Sequence, residues 1–112
     1  FILNNQYMGM VRQWQELLHE KNYSESYTAA LPNFVKLAEA YGCVGIQAKK
    51  PEELDEKINQ MISINKPVIF DCLVDPMENC FPMIPSGKPH NQMLLGPEDE
   101  KEEVSDEGKT LV

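Results

Sequence analysis

Residues 67–74 read Pro-Val-Ile-Phe-Asp-Cys-Leu-Val, a nearly unbroken apolar run with β-branched and aromatic residues and a proline at its entrance. A strand with one wet face alternates apolar and polar residues. A run apolar on both parities suits a strand whose two faces are both covered, the situation inside a parallel sheet flanked by helices. This segment therefore sets the class of fold, and its neighbours must supply the helices.

They do so in alternation. Residues 1–3 form a short apolar strand that Asn4 and Asn5 end, since asparagine competes for backbone hydrogen bonds and favours turns. Residues 8–20 predict a helix with Met10, Val11, Trp14, Leu17 and Leu18 on one face, and with Gly9 weakening its start. Residues 21–30 carry no period and read as a loop. A second helix opens at residues 31–33 with Pro32 in its first turn, carries Phe34, Leu37, Ala38 and Tyr41 on its face, and ends at Gly42. Residues 43–47 predict a strand. A third helix starts at Pro51-Glu52-Glu53, where proline and acids suit a helix N-terminus, and runs through Leu54, Ile58, Met61 and Ile62 to a stop at Asn65. The order is strand, helix, helix, strand, helix, strand, which predicts an α/β fold with a parallel sheet. Residues 75–96, rich in Pro, Met and Gly without period, predict an extended arm.

Charge restricts the function. The 112 residues carry a net charge of −8. Residues 97–112 hold seven acids and two bases, or −5, and their low hydrophobicity predicts a tail without a packed core. No basic stripe is present to displace phosphate counterions, so nucleic acid is excluded as a partner class, as are anionic membrane surfaces. No apolar run approaches the ~20 residues of a membrane span. Three cysteines with no CxxC pair point to neither a disulfide framework nor a zinc site. Cys43 and Cys80 read as packed thiols, His19 as a solvated residue in the last turn of its helix, and Arg12 as half of a surface ion pair. Because the chain opens inside an apolar strand and offers only three strands, it reads as a piece of a longer protein.

Ligands of parallel sheets bind at the carboxyl ends of the strands. Asn4 and Asn5 stand there, and an asparagine oxygen is a hard neutral donor suited to Mg²⁺. Taken alone, the pair reads as a plain turn, where asparagine is common. Likewise, the stripe of Met10, Val11 and Trp14 taken alone is a core face.

Three stretches bear a resemblance to a known family. The run Leu3-Asn4-Asn5-Gln6-Tyr7-Met8-Gly9-Met10-Val11-Arg12-Gln13-Trp14-Gln15 resembles the second half of the thiamine-diphosphate motif as it occurs in the catalytic subunit of acetohydroxyacid synthases (acetolactate synthases). Residues 31–41 fit the same subunit, and residues 74–91, which include Cys80-Phe81-Pro82 and Pro85-Ser86-Gly87, are similar to its C-terminal arm. The resemblance covers residues 1–96.

It implies a partial parallel-sheet thiamine-diphosphate-binding fold, Rossmann-like, with strands flanked by helices. Residues 1–75 would be the C-terminal part of the cofactor domain, 76–96 an extended arm and 97–112 an acidic tail outside the match. It implies that Asn5 ligates Mg²⁺ through its side chain and Tyr7 through its carbonyl, and that Gly9 and Met10 join them against the cofactor. An aspartate elsewhere in the parent, the diphosphate and water would complete the metal shell. Met10, Val11 and Trp14 would line the substrate channel with Ser86, the channel in which family members also bind sulfonylurea and imidazolinone herbicides. The position matching Trp14 would favour 2-ketobutyrate over pyruvate.

The parent would condense two 2-keto acids, pyruvate with pyruvate or 2-ketobutyrate, with loss of CO₂, in branched-chain amino acid biosynthesis; the alternatives are another thiamine-diphosphate decarboxylase or carboligase, or a non-catalytic binding module. It would use thiamine diphosphate and Mg²⁺, with FAD held by another domain. It would act as a homodimer or tetramer, with a small regulatory subunit as a further partner. The compartment implied is a bacterial cytoplasm, with plastid and mitochondrion compatible.

Overall fold

The computed structural model describes residues 1–96; the expected acidic tail lies outside the described residues. Three strands, β1 (Ile2–Asn4), β2 (Val44–Ala48) and β3 (Val68–Leu73), form one parallel sheet in the order β1-β3-β2. The strand predicted from its continuous apolar run is thus the central one. Its register sets Ile2 beside Asp71 on one side and Gln47 beside Asp71 on the other. Three helices, α1 (Gly9–Leu18), α2 (Phe34–Ala40) and α3 (Leu54–Ser63), complete the expected order of elements.

The chain folds as two compact units. The first comprises Phe1–Tyr7 and Thr28–Met77, the whole sheet with α2 and α3. Side chains alternate across a strand, so Ile46, Ala48, Phe70 and Cys72 share one face. All four are buried, and Leu54, Ile58 and Met61 of α3 pack against them. The ring of Phe1 stacks on that of Phe70 with centroids 4.6 Å apart.

On the other face α2 comes so close to β2 that a Cβ on Gly45 would stand 2.6 Å from the Cα of Val35. Helix α2 starts later than expected. Asn33, not Pro32, is the cap, and its side-chain oxygen accepts the Lys36 N–H at 3.0 Å. This satisfies one of the helix's orphan donors and leaves Pro32 outside the first turn. Gly42, at φ +73°, ends the helix as predicted. Tyr41, placed on the buried face by its spacing, is 78% exposed, because the helix stops one residue before it. Pro51–Glu53 forms a 3-10 turn ahead of α3 rather than its first turn.

The second unit joins Met8–Tyr27 to the arm that begins at Glu78. Helix α1 reverses the usual amphipathic arrangement. Arg12 and Gln13 are buried, at 0% and 1% exposure, while Met10 and Val11 are 56% and 42% exposed. The reading of that apolar stripe as a core face is overturned, and Leu18 alone of the stripe is buried. Arg12 does pair with an acid, Glu16, but not at the surface: it also donates to the Glu78 carbonyl at 3.0 Å and to the Asn79 side chain. A buried guanidinium has five donors to satisfy, and the arm supplies acceptors that the helix cannot. The arm has no strand or α-helix among the described residues. It closes on itself through an antiparallel bridge between Met83 and Leu94 and carries a 3-10 turn at His90–Gln92. Cys80 is exposed and Cys72 buried, contrary to the packed position expected for Cys80. His19 is the C-cap residue of α1, one position beyond the last turn, and is partly buried.

Candidate functional site

Strand β1 ends at Asn4, and the chain bends at Gln6. Two successive side-chain bonds shape this turn. The Gln6 N–H donates to Asn4 Oδ1 at 3.2 Å, and the Tyr7 N–H donates to Asn5 Oδ1 at 3.1 Å. Each is an asparagine bonding its own backbone two residues on, the reason this residue type recurs in turns. Between them Gln6 adopts φ +62°, a left-handed conformation that costs a residue with a Cβ about 1–2 kcal/mol.

The turn is also held from outside. Thr28 donates both its N–H, at 2.9 Å, and its hydroxyl, at 2.7 Å, to the Gln6 carbonyl. Asn4 Nδ2 donates to Asp71 Oδ1 at 2.9 Å, and Gln47 Nε2 donates to Asp71 Oδ2 at 2.7 Å. The last three residues form a polar row across β1, β3 and β2. Asp71, at its centre, is only 2% exposed.

The donors this turn can offer a metal are oxygens. A carbonyl has two lone pairs, and those of Gln6 are both occupied by Thr28. Asn5 Oδ1 accepts one hydrogen bond and keeps a lone pair. Asn5 Oδ1 is thus a hard neutral oxygen of the type that Mg²⁺ takes beside phosphate and water. Among the described residues no three His, Cys, Asp or Glu side chains gather as an alternative metal site. A small hollow of about 170 Å³ adjoins the turn, with Asn5, Tyr7, Thr28, Leu31 and Phe34 in its wall.

The other predicted residues lie in the second unit. Gly9 is the first residue of α1. Met10, Val11 and Trp14 line one open groove of about 790 Å³, together with Gln15, Leu18 and His19. Ser86 is partly buried on the arm and does not line that groove. Sequence reasoning missed Asp71 and Thr28. A lone acid within the apolar run of β3 was the available signal for the first; nothing local marked the second.

A model of the family described as thiamine pyrophosphate enzyme, C-terminal TPP binding domain, matches residues 1–72. The acetolactate synthase large subunit of Cyanidium caldarium is 46% identical over 95 residues, 84% of this chain and 16% of that protein. The large subunit of Haemophilus influenzae is 44% identical over 100 residues, 88% of this chain and 18% of its own length. A relative from Schizosaccharomyces pombe, named as mitochondrial, is 43% identical over 94 residues, 84% of this chain and 14% of its own. The chain thus spans less than a fifth of the length of these curated relatives, which come from bacterial and eukaryotic sources. No helix among the described residues is long and apolar enough to cross a membrane. With the family model covering all but the last residue of the sheet and the turn at its edge, the chain belongs to the thiamine pyrophosphate enzymes, through their C-terminal TPP-binding domain.

Proposed function

We propose that the protein containing this chain is an acetolactate synthase, condensing two 2-keto acids with loss of CO₂ in branched-chain amino acid biosynthesis. The observation that carries the reading is the turn at the end of β1, where Asn5 Oδ1 is fixed by the Tyr7 N–H at 3.1 Å with one lone pair to spare. Kinship with acetolactate synthase large subunits supports the choice of reaction.

Thiamine diphosphate, when bound, supplies the electron sink that lets a 2-keto acid lose CO₂ and join a second one. The residues of this chain hold it in place. Asn5 and the Tyr7 carbonyl would give Mg²⁺ two neutral oxygens, and the diphosphate, water and an aspartate from elsewhere in the protein would complete the shell. Anchoring the diphosphate fixes the position of the cofactor's reactive end, which is the protein's main task with a cofactor of this kind.

The groove on α1 receives the keto acid, with Met10, Val11 and Trp14 as its apolar wall. One additional methylene against such a wall is worth ~1–3 kcal/mol, enough to separate 2-ketobutyrate from pyruvate. FAD binds elsewhere in the protein, which assembles as a homodimer or tetramer and takes a small regulatory subunit. The test is product analysis of the full-length protein supplied with pyruvate, thiamine diphosphate, Mg²⁺ and FAD. Acetolactate and CO₂ in equal amounts are expected; release of acetaldehyde or acetate in place of acetolactate would assign another reaction of the same cofactor.

A further inference from the structure

The turn that carries Asn5 contains a residue at φ +62° and holds that shape only because its neighbours impose it. Two residues outside it do so, and neither has a role in the reading given above. Thr28 lies 22 residues beyond Gln6 and gives two hydrogen bonds to the Gln6 carbonyl, at 2.9 and 2.7 Å. Asp71 lies beneath the turn in the central strand and takes the Asn4 amide at 2.9 Å. That bond fixes which end of the amide faces the sheet. It therefore leaves Asn4 Oδ1 turned to the Gln6 N–H. The Gln6 residue is gripped at its N–H through Asn4 and Asp71, and at its carbonyl by Thr28.

We propose that Thr28 and Asp71 are positioning residues for the cation: they hold the Asn4–Tyr7 turn in the one shape that presents Asn5 Oδ1 and the Tyr7 carbonyl together. This rests on the reading of that turn as the magnesium site. The two arms of the grip differ chemically. Thr28 acts through a hydroxyl, so valine, of the same shape, removes the bond and serine keeps it. Asp71 acts as an acceptor, and its charge is not required. In Asp71→Asn the new amide keeps an oxygen for Asn4, while its nitrogen donates to Gln47, whose own amide turns over to accept. Lys57 is unaffected by that rotation, because it donates to the Gln47 main-chain carbonyl at 2.6 Å.

The experiment measures Mn²⁺ binding, by the free-ion electron paramagnetic resonance signal, to the full-length protein saturated with thiamine diphosphate. Thermal midpoints of each variant are recorded beside it. Thr28→Val should weaken Mn²⁺ by about threefold to tenfold, the effect of one neutral hydrogen bond, with Thr28→Ser restored to near the wild-type value. Asn4→Ala, which cuts the link between Asp71 and the turn, and Asp71→Leu, which removes the acceptor, should each weaken it at least as much, with Asp71→Asn restoring it toward the wild-type value. Asn5→Ala serves as the control on the metal site itself.

If Asn5→Ala loses Mn²⁺ while Thr28→Val and Asn4→Ala bind normally, the positioning role is wrong and the metal site stands. Equal weakening in Thr28→Val and Thr28→Ser would also overturn it, since the hydroxyl would then not be the cause. If Asn5→Ala binds Mn²⁺ as tightly as the wild type, the reading of the metal site fails and the positioning role falls with it.

Discussion

Gln13 pairs with Cys80 as one strand pairs with another. Its Nε2 donates to the Cys80 carbonyl at 3.0 Å, and its Oε1 accepts the Cys80 N–H at 2.8 Å. A buried side-chain amide thus stands in for a peptide group, and α1 gains a main-chain-like hold on an arm that has no sheet of its own. Gln13→Leu keeps the volume and removes both bonds, leaving two backbone groups of the arm without their partner. We expect a loss of about 1–3 kcal/mol and faster proteolytic cleavage between residues 78 and 96, read by limited digestion and mass spectrometry. Unchanged cleavage would mean that Arg12 alone holds the arm.

The close approach of α2 to the sheet gives a sharper prediction. A methyl group on Gly45 would meet the Val35 backbone at 2.6 and 2.8 Å, and backbone cannot step aside as a side chain can. Gly45→Ala should cost about 2–3 kcal/mol, seen as a lower urea midpoint with an unchanged slope. A stability equal to the wild type would show that α2 can shift outward freely.

Glu53 links stability to pH. Its carboxyl is held below the ordinary value of 4.5, first by the hydrogen bond from Lys57 and then by the Lys49 N–H. Lys57 Nζ lies 2.8 Å from the carboxylate. A lowered folded value means that the unfolded chain takes up the proton first as pH falls. The contribution is therefore fully present above 4.5 and is lost as pH drops through the lower folded value. Glu53→Gln should flatten that part of the stability curve and matter least in high salt, because the pair is partly exposed and screened. Urea unfolding at a series of acid pH values checks it.

Trp14 carries the substrate prediction. If its indole selects the longer second keto acid, Trp14→Leu in the full-length protein should reduce the preference for 2-ketobutyrate over pyruvate by about tenfold or more, with less effect on acetolactate formation from pyruvate alone. Competition between the two acids in one reaction measures this directly. An unchanged ratio would place the selecting surface elsewhere.

The sheet was legible in the sequence because its signal is local: β3 declares itself by an apolar run, and α2 ends where Gly42 allows it to. The start of α2 was misplaced because Pro32 and Asn33 are both N-terminal signals. The cap bond to Lys36 decided between them. Helix α1 was found, but its orientation was not. Periodicity shows that a helix has two faces and does not say which one meets protein, and here Arg12 and Gln13 go inward because the arm offers them carbonyls. Asn4 and Asn5 were visible as a turn at a strand end. Thr28 was not, since a bond across 22 residues leaves no pattern in an unperiodic loop.

If Asn5 holds the metal that holds the cofactor, removing its side-chain oxygen must weaken cofactor binding through the metal. The most direct measurement is a thiamine diphosphate titration of the full-length protein, wild type and Asn5→Ala, with and without Mg²⁺. Tight binding by the wild type is expected only when Mg²⁺ is present, and binding by Asn5→Ala should require far more of the metal. Equal cofactor affinity in the two proteins at every Mg²⁺ concentration would contradict it.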